Sequence, residues 1–498
     1  MKKFILVCVL VIAAIPAYLL LSGTISVTSF AMILNVMAGK GIETPSDEVI
    51  ENRIQVADGF GLSLYASDLP NARFIAMTAN RDLLVSRPHK GEVVMIRANR
   101  DDASVGGERV TLLEGLNKPS GIVVAEGWLF VGESDAIGRI VFDETTGTTS
   151  GSYERILEGL TGDGNHPYKQ IKRGPDGKIY LSQGSTCNVC IEADSRRGTM
   201  GRFDLDGKNF EVIATGLRNT MGFDWTPWNG DLYGTDNGRD LLGDDYPPCE
   251  LNLIQQGKFY GWPYFNGANE ADPDFNPDSA PAELVANPVA PVHEFRAHNA
   301  PLGMTFIDAE GWPEDFQQSA LVALHGSWNR SIPDGYRVVS LHWNDGKIER
   351  RDFLAGFELD GDVIGRPVDI TQGPDGAVYI SDDYAGAIYR MAYGEEQKLL
   401  GTAKAEEETP FELQQPTWLT ADNTATYKAA GQQLYDKFHC QSCHNPAYAR
   451  GNMNLTDANQ RLQYADVIER LTKPRAPMPV FPLSEADKQA LAVWLLDQ

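Results

Sequence analysis

Between residues 79 and 383 the hydrophobic pattern repeats one unit, a small polar turn followed by alternating or continuous apolar residues. It reads ANRDLLVSR at 79–87, AEGWLFVGE at 125–133, GPDGKIYLSQG at 174–184, WNGDLYGTDNG at 228–238, QSALVALHG at 318–326 and GPDGAVYISDD at 373–383. The Asp-Gly, Asn-Gly and Glu-Gly turns accept the positive φ angles of tight hairpins, so each unit predicts a turn running into a strand. The markers Leu83, Leu129, Ile179, Leu232, Leu321 and Val378 follow one another at 46 to 57 residues, apart from one step of 89. Repeats of this length predict four-stranded blades, and six blades fit; a pair of β-sandwiches with similar turns is the alternative. The long step contains Pro247 to Pro291, rich in Asn, Pro and Asp, and reads as an insertion or long loop.

Elsewhere the pattern changes. Residues 394–424 carry Glu395, Glu396, Glu406, Glu407 and Glu408 with little periodicity, which predicts an acidic linker between domains. Beyond it, ATYKAAGQQLYDKFHCQSCH and SEADKQALAVWLLDQ have helical spacing. In the second, Ser484 and Asp487 form a capping-box pattern ahead of Leu491, Trp494 and Leu495. At the other end no charged residue occurs from Phe4 to Gly39, and Phe4 to Leu21 is apolar apart from Pro16, behind Lys2 and Lys3. The two lysines place its start in the cytoplasm and everything after Lys40 on the far side of the membrane. An uncleaved anchor is favoured over a signal segment cut near Ser29-Phe30-Ala31. The predicted organisation is therefore a membrane segment at 1–40, a mainly β propeller at 52–393, the linker, and a small all-α domain at 425–498.

Composition adds limits rather than identity. The 498 residues exceed one hydrophobic core. A formal charge of -25 with no basic stripe excludes nucleic acid as a partner. The six cysteines are Cys8, Cys187, Cys190, Cys249, Cys440 and Cys443, and those beyond the membrane segment suit an oxidising compartment, here the periplasm.

Cys440-Gln441-Ser442-Cys443-His444 is a haem c attachment sequence. Two thiols one helical turn apart can each add to a vinyl group of one porphyrin, and His444 then reaches the iron. Met478, in the Pro-rich loop RAPMPVFP, is the preferred second axial ligand over Met453. With Gly431 and Tyr435 before the motif and Trp494 in the last helix, about seventy residues resemble a class I cytochrome c.

The polar loops of the β region hold His166 before GPDGK, Arg218 and Asn219 in GLRNTMGFDW, His298 in HEFRAHNAPLG, His325, Trp328, Asn329 and Arg330 in HGSWNR, and Arg366 in GRPVDI. Arginines with histidine in one basin suit a small polyanion. No GxGxxG sits at a strand-to-helix turn, so a nucleotide cofactor is unsupported. The strings GPDGKIYLSQGSTCNVC, GLRNTMGFDW, DNGRDLLGDDYPPCELN and HGSWNR resemble the pyrroloquinoline quinone (PQQ) dependent sugar dehydrogenases, the soluble glucose and L-sorbosone dehydrogenase group, over about residues 59–390.

That resemblance implies a six-bladed propeller in which His166 is the catalytic base. It implies that Arg218, Asn219, His298, Trp328, Arg330 and Arg366 bind the quinone, and that the Gly238 and Arg239 carbonyls hold calcium. Asp244, Asp245 and Glu250 are candidates for a second calcium. Three departures stand out: Cys249 replaces an acid, Ser120 replaces a histidine, and Cys187 with Cys190 can close a disulfide loop or a zinc half-site. The reading is an exported quinohaemoprotein dehydrogenase that oxidises a sugar, a sorbosone-like aldehyde or a polyol and passes electrons through haem c to a downstream respiratory acceptor. A calcium-dependent propeller lactonase and a non-catalytic docking platform are the rivals.

Overall fold

The structure, a computed structural model, describes residues 41–344, 346–395, 413–444, 455, 458–460, 462–474 and 481–497. The membrane segment, most of the acidic linker, Met453 and Met478 lie outside these residues, as does the Cys443 side chain. The chain forms two compact units that divide at Gly401.

The first unit is a six-bladed β-propeller. Blade 1 begins with Ile75–Met77, blade 2 with Ile122–Ala125, blade 3 with Lys169–Arg173, blade 4 with Thr220–Trp225, blade 5 with Pro301–Phe306 and blade 6 with Pro367–Gln372. Each of these innermost strands pairs antiparallel with the strand that follows it. All six sequence markers fall in these second strands, so the repeat read from the sequence is the hairpin that starts each blade. Blades stack face to face, which buries both sides of an inner strand; Ser319–Leu324 (SALVAL) is buried at every position. Outer strands meet water, and Thr148–Glu158 is accordingly polar and mostly exposed.

The ring closes through a strand that precedes blade 1 in the chain. Phe60–Ala66 supplies the outer strand of blade 6, pairing with Ala387–Tyr393 from Phe60↔Tyr393 onward. Main-chain hydrogen bonds thus join the two ends of the propeller and cover a sheet edge.

The long step in the repeat is narrower than expected. Cys249–Ile254 is the third strand of blade 4 and His293–Phe295 its fourth, so the insertion lies between them. Within it, Lys258–Phe259 adds a parallel fifth strand to blade 3. Prolines at 247 and 248 masked this strand in the sequence, because proline next to a strand reads as a loop.

The second unit is helical, with Ala421–Lys437, Gln441–His444, Tyr464–Thr472 and Glu485–Leu496. The first helix starts at Ala421 rather than 425, because the Asn423 side-chain oxygen accepts the Thr420 backbone N–H at 2.8 Å and caps it. Ser484 and Asp487 form the expected capping box on the last helix. Gly431 allows these two helices to touch: a Cβ there would overlap the Ala490 carbonyl oxygen and the Trp494 Cβ. The contact continues with Tyr435 and Trp494, whose ring centroids are 4.3 Å apart.

Candidate active site and haem cavity

His166 lies in the loop entering the first strand of blade 3, and Ser185 follows that blade's second strand. Gly184 lets them meet, since a Cβ on it would strike both Asn219 Oδ1 and the His166 Cβ. His166 Nδ1 is 2.8 Å from the Ser185 carbonyl oxygen. A carbonyl oxygen only accepts, so Nδ1 carries the proton and Nε2 is the basic nitrogen. Burial, reinforced by the positive Arg218, holds the imidazole pKa well below its ordinary 6.5. The group is neutral at physiological pH.

His166, Arg218, Asn219, Gly238, His298 and Trp328 all line one cavity at the propeller mouth. Arg218 is buried and uses its full set of donors on the protein. Nε donates to the Asn188 carbonyl at 2.9 Å, one terminal nitrogen to the Asn237 and Gly238 carbonyls at 3.1 and 2.9 Å, and the other to Asn188 Oδ1 and Asp240 Oδ2 at 2.9 and 3.0 Å. Behind it, the Asp236 carboxylate accepts the backbone N–H groups of Arg218, Asn219 and Asn237. Asp236 faces Glu250 across the sheet, and burial pushes them up to about 6 and about 8 respectively. Asp236, with its three amide donors, is the charged member of the pair.

Part of the wall, Arg73 with its partner Asp383, was not evident from the sequence, whereas His325 was among the polar-loop residues. Arg73 and His325 line the same cavity and share Asp383, which ion-pairs with Arg73 and accepts from His325 Nε2 at 2.9 Å. Burial, then repulsion from Arg366, brings His325 down to about 4. The one available signal was Asp383 at the end of a repeat unit; its partners lie far away in the chain.

Three of the expected cofactor or metal residues have side chains engaged by the protein itself. Arg366 donates to the His325 and Gly326 carbonyls at 3.1 and 2.9 Å, bracing the cavity wall rather than lining it. Arg330 holds the neighbouring loop through the Asp244 carbonyl and Asp245 Oδ1. Arg239 turns its side chain to Asp272 and Asp274 in the insertion. Each buried guanidinium is held by nearby protein oxygens, which is the lower-energy choice where they are in reach.

Calcium on the Gly238 carbonyl does not fit this arrangement, because that oxygen already accepts from Arg218 and a cation there would face the guanidinium charge. The second candidate calcium set is dispersed: Asp244 binds Ser331, Asp245 pairs with Arg330, and Glu250 accepts from Asn252 and Gly267. Cys249 lines the cavity as a thiol, its pKa pushed up to about 11 by burial. Ser120 is buried between the Gly132 and Lys169 carbonyls at 2.9 and 3.1 Å, a structural role rather than a substrate contact. A planar polyanion does fit. Arg73 and Arg218 supply positive charge and the Trp328 ring a flat wall, while the buried Asn219 Oδ1, which has no hydrogen-bond partner, can accept from an N–H or O–H of the ligand.

In the helical unit, Cys440 and His444 line a mainly apolar cavity with Tyr435, Leu462, Val467, Leu491 and Trp494. One thiol and an imidazole on a hydrophobic wall fit a covalently held haem.

A family model described as "Domain of unknown function (DUF7133)" matches residues 51–409. The chain belongs to the DUF7133 family. A second model, "Cytochrome C oxidase, cbb3-type, subunit III", matches residues 427–495, so a cytochrome c domain follows the DUF7133 propeller. An uncharacterized protein of Borreliella burgdorferi is 36% identical over 223 residues, covering 44% of this chain and 58% of that protein. Aldose sugar dehydrogenase YliI of Escherichia coli is 27% identical over 192 residues, 37% of this chain and 45% of YliI. The chain thus spans about half the length of these curated relatives.

Among solved structures, the iodide structure of a Trichoderma reesei Carbohydrate-Active Enzymes Family AA12 protein has a TM-score of 0.60 at 21% identity, covering 68% of this chain and 98% of that one. The holo form of the pyranose dehydrogenase PQQ domain from Coprinopsis cinerea has a TM-score of 0.57 at 20% identity, covering 68% and 97%. The DUF7133 propeller therefore has the fold of the PQQ-dependent soluble sugar dehydrogenases.

Proposed function

We propose that the protein is an exported dehydrogenase of sugars, sorbosone-like aldehydes or polyols, with PQQ in the propeller cavity and haem c in the cytochrome domain. The observation that carries this reading is the neutral His166, fixed in one tautomer beside a cavity walled by Arg73, Arg218, Asn219 and Trp328. PQQ, when bound, supplies a hydride-accepting ring. His166 Nε2 takes the proton of the substrate hydroxyl, a task that needs an imidazole unprotonated at working pH. Arg73 and Arg218 attract carboxylates, Asn219 offers its unpartnered amide oxygen, and Trp328 supplies an aromatic wall. Cys440 and Cys443 would hold the haem and His444 its iron, with Met478 as the expected second ligand. The linker keeps electron donor and acceptor at high effective concentration.

Export is supported by the apolar segment at 4–21 and by the disulfide between Cys187 and Cys190, which belongs to an oxidising compartment. We assign the protein to the periplasm, anchored in the inner membrane by that segment. No step is assigned to calcium. The lactonase rival needs free carboxylates around a central ion, whereas Asp236 and Asp240 are engaged by amides and by Arg218.

The test is to load the haem-bearing protein with PQQ and add aldoses, sorbosone or polyols while following the haem α band. Haem reduction that requires both PQQ and one substrate class is expected. A haem that dithionite reduces but no substrate does would overturn the proposal.

A further inference from the structure

Residues 184–198, between the second and third strands of blade 3, form a connection without regular secondary structure. Four of them, Cys187-Asn188-Val189-Cys190, are closed into a ring by a disulfide. Within the ring, Asn188 reaches across to blade 4. Its side-chain amide bridges the Asp240 backbone: Nδ2 donates to the Asp240 carbonyl at 3.0 Å, and Oδ1 accepts the Asp240 N–H at 2.8 Å. The same Oδ1 accepts from Arg218, and the Asn188 carbonyl accepts Arg218 Nε. Asn188 therefore holds the guanidinium directly and also fixes the loop whose Gly238 carbonyl and Asp240 carboxylate take further Arg218 donors.

The ring also reaches the base. Ser185 Oγ donates to the Cys187 carbonyl at 2.7 Å, while the Ser185 carbonyl orients His166. A connection this long would sample many conformations, and the covalent closure removes much of that freedom around Asn188.

We propose that Asn188, clamped by the Cys187–Cys190 ring, is the positioning residue of this cavity, setting the Arg218 guanidinium and its distance from His166. The identity of the ligand, PQQ, rests on the function proposed above; the clamp itself does not.

Asn188→Ala and the double variant Cys187→Ser/Cys190→Ser, in the full haem-bearing chain, separate the two. PQQ is titrated into each and followed by tryptophan fluorescence, and amide hydrogen exchange is measured at Asp240. Each variant is expected to bind PQQ at least about tenfold more weakly. The triple variant is expected to be no weaker than the worse of the two, because both act through one contact. Asp240 exchange accelerates in all three, while melting temperatures stay within a few degrees. Asn188→Ala with wild-type PQQ affinity overturns the positioning role. Unchanged Asp240 exchange overturns the clamp whether or not PQQ binds. A wild-type protein that ignores PQQ sinks the cofactor assignment alone, and the exchange result then decides the clamp.

Discussion

The proton on His166 Nδ1 is settled by one neighbour, the Ser185 carbonyl, and this suits the residue to the proposed role of base. Its depressed pKa carries a sign that can be checked. Because the neutral form acts, kcat/KM with the active substrate should hold steady as pH falls through 6.5 and drop only well below it. The same shift means the unfolded chain binds this proton more readily than the folded one, so His166 lowers stability as pH falls below 6.5. His166→Gln should cut substrate oxidation by about 10² to 10⁴ while leaving dithionite reduction of the haem unchanged. A steady-state pH profile and the variant's turnover provide both measurements. At this scale His166, Arg218 and Asn219 were legible because each sits in a compact motif. Arg73, Asn188 and Asp383 were not, since what they do depends on partners in other blades.

At the scale of elements, turn chemistry and apolar period were sufficient wherever both agreed. The second strands of all six blades follow Asp-Gly-like or small polar turns, and the last helix announces itself with Ser484 and Asp487. Cys249–Ile254 was missed because flanking prolines outweighed its own strand pattern, and Ala421 because Thr420 and Asn423 sit in a stretch that otherwise reads as linker. Gly431 has little tolerance for a side chain at the contact between the first and last helices of the helical unit. Gly431→Ala places a methyl against the Ala490 carbonyl oxygen, a backbone atom that cannot step aside. We expect a loss of about 1 to 3 kcal/mol from the helical unit, visible as a lower melting temperature of the haem absorbance while the propeller transition stays in place.

The whole molecule joins a closed ring of blades to a small helical unit, and its two chemistries should come apart cleanly. Cys440→Ser/Cys443→Ser removes haem attachment, so electron delivery to a cytochrome acceptor is expected to vanish while substrate oxidation with an artificial dye persists within about twofold. Loss of dye-linked activity as well would show that the propeller depends on the haem for more than electron export.

What the chain determined unaided was local: where turns begin strands, how often they recur, and where a CxxCH motif lies in a cytochrome c domain. Period, turn residues and motif spacing are properties of neighbours in sequence, so they survive without a fold. Only the tertiary structure decided which charges meet. It gave the buried Arg239, Arg330 and Arg366 bracing roles, brought Arg73, Asp383 and His325 to the cavity, and placed a disulfide ring behind Arg218. The physical reason is that a buried guanidinium takes whichever oxygens lie within hydrogen-bond reach, and that set exists only once the six blades have closed around one another.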